Sequence, residues 1–245
     1  MDARGLKPPT PKYTNMAKSN WFILVELLLL LQCLSHLSIS QGQGYDFFYL
    51  VQQWPGSYCD TRKACCYPTT GKPTANFTLH GLWPNYNNGS YPSNCNPNSP
   101  YNATKISDLL GRMEVDWPTL SCPTNDGTRF WTHEWEKHGT CSESVLDQHS
   151  YFEAALNIKN KVNLLKVLED AGIQPNDNLY KSSEIRAAIK AGIGYTPAIT
   201  CNTDLSKNRQ LLEIYLCVDA SGKDLIECPK LPNSCKKPPL QFPIF

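Results

Sequence analysis

The sequence predicts a single α+β domain, and three observations carry that prediction. Stretches rich in aromatic and β-branched residues, which read as strands, lie towards both ends of the chain, and segments of helical periodicity fill the middle. The 245 residues suffice for one large domain or two small ones with a buried core, yet they contain no internal repeat and no long linker. Ten cysteines remain once a leader is set aside, and an even number in an exported chain argues for five disulfides formed in an oxidising compartment.

The leader is read over residues 1–40. Arg4, Lys7, Lys12 and Lys18 precede the apolar run Trp21–Leu34, and the small residues Ser38 and Ser40 come just before Gln41. That is the three-part pattern of a secretory signal, with cleavage after Ser40 and the mature domain over 41–245. The apolar run is short for a membrane span and carries Glu26, which weighs against a retained anchor. The long basic segment leaves Met16 as an alternative start. Removing the leader removes Cys33, and leaves 19 Lys/Arg against 20 Asp/Glu. Such a balance offers no broad basic footprint for coating nucleic acid, so any polyanion must be held by a small, focused site.

Taken in order, YDFFYLVQQW (45–54) reads as a buried strand ending at Pro55, and residues 56–75, with Gly, Pro and three cysteines, as a stapled loop. FTLHGLW (77–83) is a second short strand, stopped by Pro84, and the Asn/Pro/Ser-rich stretch 84–103 is surface loop pinned by Cys95. Ile106, Leu109, Leu110 and Met113 follow the spacing of one apolar helix face. A helix over 131–138 follows the turn at Asn125-Asp126-Gly127. Ser150 and Glu153 form a capping box for a helix running to about Asp170, with Gly172 as its stop. A shorter helix spans about Ser183 to Ala191, closed by Gly192. Leu212, Ile214, Leu216 and Val218 alternate with Glu213, Tyr215, Cys217 and Asp219 as in a half-buried strand, and Leu225 to Cys228 pairs back as a hairpin.

Three sequons occur, at Asn76, Asn88 and Asn102. Asn88 and Asn102 lie in loop-like sequence suited to carrying sugar, whereas Asn76 begins an apolar strand that argues for burial.

Chemistry concentrates in two motifs. Of the four histidines beyond the leader, His80 lies in FTLHGLWP, and His133 and His138 lie in HEWEKHGTC; only His149 is elsewhere. A zinc grip needs two histidines four apart on a helix. His133 and His138 are five apart, roughly 140° around a helix, and close CxxC pairs are lacking, so no metal is expected. Glu134 and His138, Glu134 and Lys137, and His133 and Lys137 are helical neighbours, while Trp131 and Trp135 can anchor the opposite side. Charges alternating along a helix usually mark a solvated face. A second histidine element changes the weighing, because two imidazoles from different elements can serve as general base and general acid in one in-line displacement.

FTLHGLWPN and FWTHEWEKHGTC resemble the two active-site segments of the ribonuclease T2 family, the secreted acid ribonucleases. YDFFYLVQQWPGSYCDTRKACCYP, YPSNCNPNSPY, IGYTP and LIECP extend the likeness to plant S-like ribonucleases over nearly the whole mature chain. The resemblance implies an α+β fold around a central antiparallel sheet flanked by helices. It also implies a cofactor-free and metal-free endoribonuclease that cleaves single-stranded RNA through a 2′,3′-cyclic phosphate. By motif match, His138 is the base and His80 the acid, with the reverse assignment open. Glu134 and Lys137 stabilise the phosphorane, and His133 contacts phosphate or sugar. Trp83 supports His80 or stacks near the site, and Gln53 and Phe130 match base-holding positions; for both of these, packing is the competing reading. The implied disulfides are Cys59–Cys65, Cys66–Cys122, Cys95–Cys141, Cys201–Cys235 and Cys217–Cys228. The expected mature protein is a monomer without membrane attachment, bound for the apoplast or the vacuole. Rival readings are a catalytically inactive storage or defence protein, a self-incompatibility ribonuclease and a metal-dependent phosphoesterase.

Overall fold

The computed structural model describes residues 44–245, except 64, 233, 234 and 236–238. The expected leader and Cys33 lie outside the described residues. The fold is α+β, as predicted, and all five implied disulfides are formed.

Strand β1 (Phe47–Gln53) is buried along its whole length, and its side chains divide between two faces of the sheet. Phe48 and Leu50 join the core beneath the helices, while Phe47, Tyr49 and Val51 pack on the other face with Cys217. Pro55 then opens a short helix, α1 (Pro55–Cys59), so the expected loop begins as a helical turn. Proline suits that first position, because its fixed φ is already helical and its missing N–H would have no helical partner.

Strand β2 (Thr78–Asn85) runs antiparallel to β1 and carries Pro84 within it, opposite Phe48. The expectation that Pro84 stops this strand is therefore corrected. β2 is the outermost strand of the sheet, where a proline costs no ladder bond on its open side.

A 3₁₀ turn (Ala103–Ile106) leads to α2 (Leu110–Asp116), and Ile106, Leu109 and Met113 are buried on the predicted face. Helix α3 (Thr128–Lys137) follows, with Trp131 and Trp135 in the core. The single helix expected from Ser150 to Asp170 is two: α4 (Gln148–Lys161) and α5 (Leu164–Asp170). Asp147, not Ser150, caps α4 by accepting the Ser150 N–H at 2.8 Å. The break falls at Asn163, whose side chain accepts the Lys166 N–H at 3.1 Å and so starts a new helix. Gly172 closes α5 with a φ of 76°, as expected.

A two-residue strand, β3 (Leu179–Tyr180), precedes α6 (Ser182–Ile193). This helix ends at Gly194, with φ 86°, rather than at Gly192. Gly192 instead lets α6 press on α5, since a Cβ there would lie 2.5 Å from Val167 Cγ1.

Strands β4 (Ala198–Thr203), β5 (Arg209–Asp219), β6 (Leu225–Ile226) and β7 (Leu240–Gln241) complete a seven-stranded sheet. The order is β2-β1-β5-β7-β3, with β4 and β6 also paired to β5. All pairings are antiparallel except the single β5–β7 contact, so the sheet is mixed at that one point. A bulge interrupts the expected alternation of β5: Thr200 faces Glu213 and Cys201 faces Leu211, which leaves Leu212 unpaired. Leu211 therefore takes the core position beside Ile214 and Leu216 that the alternation assigned to Leu212.

Candidate active site

The sheet face away from α4 carries a cavity of about 540 Å³ lined by His80, Trp83, His133, Glu134, Lys137 and His138, with Tyr49, Asn85, Tyr91, Tyr215 and Lys230 around them. Both sequence motifs thus meet in one place.

His80 owes its direction to a second bulge. Val51 pairs with Gly81 and Gln52 pairs with Leu79, so His80 is the extra residue in β2. A bulge re-aims the side chain it contains. The His80 ring turns towards β5, where Nδ1 lies 2.6 Å from Glu213 Oε1, while its backbone carbonyl accepts the Trp117 indole N–H at 3.1 Å. The next residue must be glycine for steric reasons. A Cβ on Gly81 would stand 2.0 Å from Trp83 Nε1 and 2.4 Å from Glu134 Oε2.

Trp83 ties the two motifs together. Its indole N–H donates to Glu134 Oε2 at 2.8 Å, its ring stacks on His138 at 5.2 Å and 27°, and His80 meets it edge-on at 4.9 Å.

Helix α3 supplies the opposing groups because its two indoles fix its roll. Trp131 donates to Trp117 O at 2.9 Å and Trp135 to Ser99 O at 2.8 Å, so the Glu134 carboxylate is carried inward to Trp83. His138 is the C-cap of α3, with its N–H on Glu134 O at 3.1 Å. At that position it leaves regular helical geometry, so it and His133 line the same cavity despite their five-residue spacing. The Cys95–Cys141 bridge fixes the chain just beyond, helped by Asn94 N–H on Lys137 O at 2.8 Å and Cys95 N–H on Thr140 Oγ1 at 3.2 Å.

The titratable groups separate sharply. Burial pulls the His80 pKa down, but the hydrogen bond and charge of Glu213, together with the charge of Glu134, more than reverse this and leave it above the ordinary 6.5. Burial, followed by the positive charges of Lys137, His133 and His80, pushes His138 down to about 3. Its Nδ1 is buried with no hydrogen-bond partner among the described residues. Burial raises the Glu134 carboxyl to about 7 against the opposing pull of its cationic neighbours. Exposed His133 is lowered by partial burial and by Lys137 and His80. Glu213 is buried too, yet the hydrogen bond and charge of His80, with the hydroxyls of Thr200 and Tyr215, hold it below the ordinary carboxyl value. One imidazole therefore stays charged at mildly acidic pH, and the other stays neutral.

Gln53 and Phe130 do not line this cavity. They meet in a separate recess of about 60 Å³ with Tyr58, Thr119, Leu120 and Ser121, and His80 borders both spaces. Trp83 is placed in the main cavity. Among the sequons, exposed Asn88 sits on the main cavity's rim, Asn102 is exposed and Asn76 half-buried. Sequence reasoning missed Glu213, Tyr215, Thr119 and Ser121. The only trace of Glu213 was a carboxylate on the non-core side of β5; the others gave no signal apart from their tertiary neighbours.

This sheet, its five disulfides and two unlike histidines about a shared tryptophan are those of a ribonuclease. The chain belongs to the ribonuclease T2 family, whose description matches residues 45–228. It is 56% identical to extracellular ribonuclease LE of Solanum lycopersicum over 232 residues, covering 94% of this chain and 100% of that protein. It is 50% identical to intracellular ribonuclease LX of the same plant, covering 94% of this chain and 96% of that one. The crystal structure of RNase NT in complex with 5′-AMP superposes with a TM-score of 0.79 at 51% identity, covering 82% of this chain and 99% of that one.

Proposed function

We propose that the protein is an endoribonuclease that cleaves single-stranded RNA by transphosphorylation, with His138 as base and His80 as acid. The observation that carries this reading is the asymmetry of the two imidazoles: one is paired with a carboxylate and held protonated, the other is unpaired and held neutral. Neutral His138 takes the proton of the ribose 2′-OH, whose oxygen attacks the adjacent phosphorus. His80 gives its Nε2 proton to the departing 5′-oxygen. The 2′-OH is an internal nucleophile already in place, so positioning and proton transfer suffice, and DNA, lacking it, is not cut.

Lys137 neutralises charge on the pentacoordinate phosphorus, and His133 contacts phosphate or sugar at the exposed side of the cleft. Glu134, with its carboxyl raised to about 7, is protonated at pH 5 and donates a hydrogen bond to a phosphate oxygen without repelling it. The recess of Gln53 and Phe130 receives a base on the far side of His80, and the main cavity with Trp83 receives its neighbour. Water then opens the cyclic phosphate with the two histidines exchanging roles.

Residues 1–40 serve as a secretory signal, and the mature chain from Gln41 works as a monomer in the apoplast or vacuole, with sugar on Asn88 and Asn102. The named relatives include one extracellular and one intracellular ribonuclease, which fits a secretory route with either destination. Purified protein is tested on single-stranded RNA near pH 5 in EDTA, alongside His80→Ala and His138→Ala. The expected result is cleavage to 2′,3′-cyclic ends by the wild type, reduced at least about 100-fold in each variant. No cleavage by the wild type, or undiminished cleavage by either variant, refutes the reading.

A further inference from the structure

Glu213 belongs to neither sequence motif, yet it is the most closely bound neighbour of His80. It lies in the interior of β5, opposite Gln53 of β1 and Thr200 of β4, and is 9% exposed. Its two oxygens are used differently. Oε1 meets His80 Nδ1 at 2.6 Å, and Oε2 accepts the Thr200 hydroxyl at 2.9 Å and the Tyr215 hydroxyl at 3.1 Å. A buried carboxylate with three donors keeps its charge, because each hydrogen bond favours the ionised form.

We infer that Glu213 is a positioning residue that assigns His80 its role: it fixes the proton on Nδ1, leaves Nε2 as the nitrogen that serves substrate, and holds the ring as imidazolium. This rests on the ribonuclease reading for its catalytic consequence. The geometry supplies the reason. A histidine whose Nδ1–H is bound to a carboxylate has one orientation and one neutral tautomer, so its second nitrogen is directed as well.

The surroundings of His80 agree. From β5 it is faced by Glu213, with Tyr215 behind; from α3 by Glu134, Lys137 and His133, with Phe130 stacked obliquely at 5.9 Å; from the end of α3 by His138; and from its own strand by Trp83. Ionised Glu213 therefore opposes the cations around this ring, and Glu134 adds to it only where it too is ionised. His138 has Lys137, His133 and His80 as its charged neighbours and no carboxylate partner among the described residues. Among those residues only Glu213 is hydrogen-bonded to either ring, so it is the group that sets His80 apart from His138.

The proton balance of the step is simple. As the bond from phosphorus to the 5′-oxygen breaks, its electron pair stays on that oxygen, which takes the Nε2 proton of His80. His80 becomes neutral with its Nδ1–H still on Glu213, and His138 holds the proton taken from the 2′-OH. Hydrolysis of the cyclic product runs the transfers in reverse, with water supplying the proton to His80.

The test uses Glu213→Gln, which keeps a carbonyl acceptor for Nδ1–H but removes the charge. The His80 imidazole is titrated by NMR in wild type and variant, and the pH profile of kcat/KM is measured on a dinucleotide. The same profile is measured on uridine 3′-(4-nitrophenyl phosphate), whose leaving group departs without a proton. Losing an adjacent carboxylate should lower the His80 pKa by roughly one unit or more. The basic limb of the dinucleotide profile should move down with it, with activity on that limb reduced about 10- to 100-fold. The loss on the nitrophenyl ester should be several-fold smaller. Thr200→Val is the second variant, since it strips one donor from the carboxylate without touching His80, and it should move the His80 titration upward.

A folded Glu213→Gln protein with unshifted His80 titration overturns the inference, as does equal loss on both substrates. If Glu213→Gln does not fold, an unshifted His80 in Thr200→Val overturns it. The titration needs no turnover, so an inactive wild type refutes the ribonuclease reading separately from the dyad.

Discussion

Gly81→Ala is the sharpest probe of the site, because it adds one methyl group and nothing else. Gly81 does not have the positive φ that would forbid a side chain, so backbone strain plays no part. The new Cβ would lie 2.0 Å from Trp83 Nε1 and 2.4 Å from Glu134 Oε2, inside the indole–carboxyl hydrogen bond itself. That bond, 2.8 Å long, must open. Glu134 is 1% exposed, so a broken bond leaves a buried polar group unpartnered, at about 1–3 kcal/mol. Forced displacement of the packed indole adds about 1–3 kcal/mol. A loss of about 4 kcal/mol is the central expectation from those two ranges.

Turnover should suffer more than stability, since Trp83 also stacks on His138 and touches His80. A misplacement near 1 Å costs about 100-fold. Urea unfolding and dinucleotide cleavage at pH 5 measure both quantities. Gly111→Ala is the matched control. It lies in α2 and is exposed, with nothing within 4 Å of the added Cβ, so it should leave turnover unchanged and gain up to about 1 kcal/mol from helix propensity. A Gly81→Ala protein within about 0.5 kcal/mol and threefold of wild type would mean that the Trp83–Glu134 contact does not organise the cleft.

The pH profile of kcat/KM should be bell-shaped, with an acid limb set by His138 near pH 3 and a basic limb above 6.5 set by His80. Stability should peak between these limits, and the signs can be worked out group by group. His80, raised when folded, stabilises fully below 6.5 and loses that contribution as pH rises through its folded value. Glu213, lowered when folded, stabilises above 4.5 and loses that contribution as pH falls through its folded value. Glu134, raised to about 7, destabilises progressively from 4.5 upward, and His138, lowered to about 3, does so from 6.5 downward. Thermal unfolding between pH 3 and 8 should therefore be highest between 4.5 and 6.5; a maximum above 7 contradicts the assignment. Cys95→Ser with Cys141→Ser opens a closure of 46 residues and should cost about 4 kcal/mol on the chain-entropy scale. It should also lower kcat, because the bridge holds the chain just past His138; unchanged kcat in a folded variant would make the bridge purely structural.

The sequence by itself determined strands β1, β2, β5 and β6, the helical core faces and the chemistry-bearing motifs, but not β3, β4 or β7. Phe48, Leu50, Ile106, Leu109, Met113, Trp131 and Trp135 lie in the core because apolar period settles which face is buried, whatever lies across from it. His80, Glu134, Lys137 and His138 were legible because rare residue types cluster in two short runs. Local polar competition was harder to read: Asn163 split a helix and Gly194 displaced Gly192 as a stop, since a cap depends on where the neighbouring elements pack.

Only the tertiary structure decided the partners and proton affinities of the site residues. Two bulges, at His80 and Leu212, break the two-residue period that strand reading relies on. Glu213 became a partner of His80 only because β1 lies between β2 and β5 and the two side chains meet over it. The pKa differences between His80 and His138 arise from burial and from charges distant in sequence, 133 residues away in the case of His80 and Glu213. Residue identity placed two imidazoles in the chain; the fold raised the proton affinity of His80 and lowered that of His138, because proton affinity is set by neighbours in space.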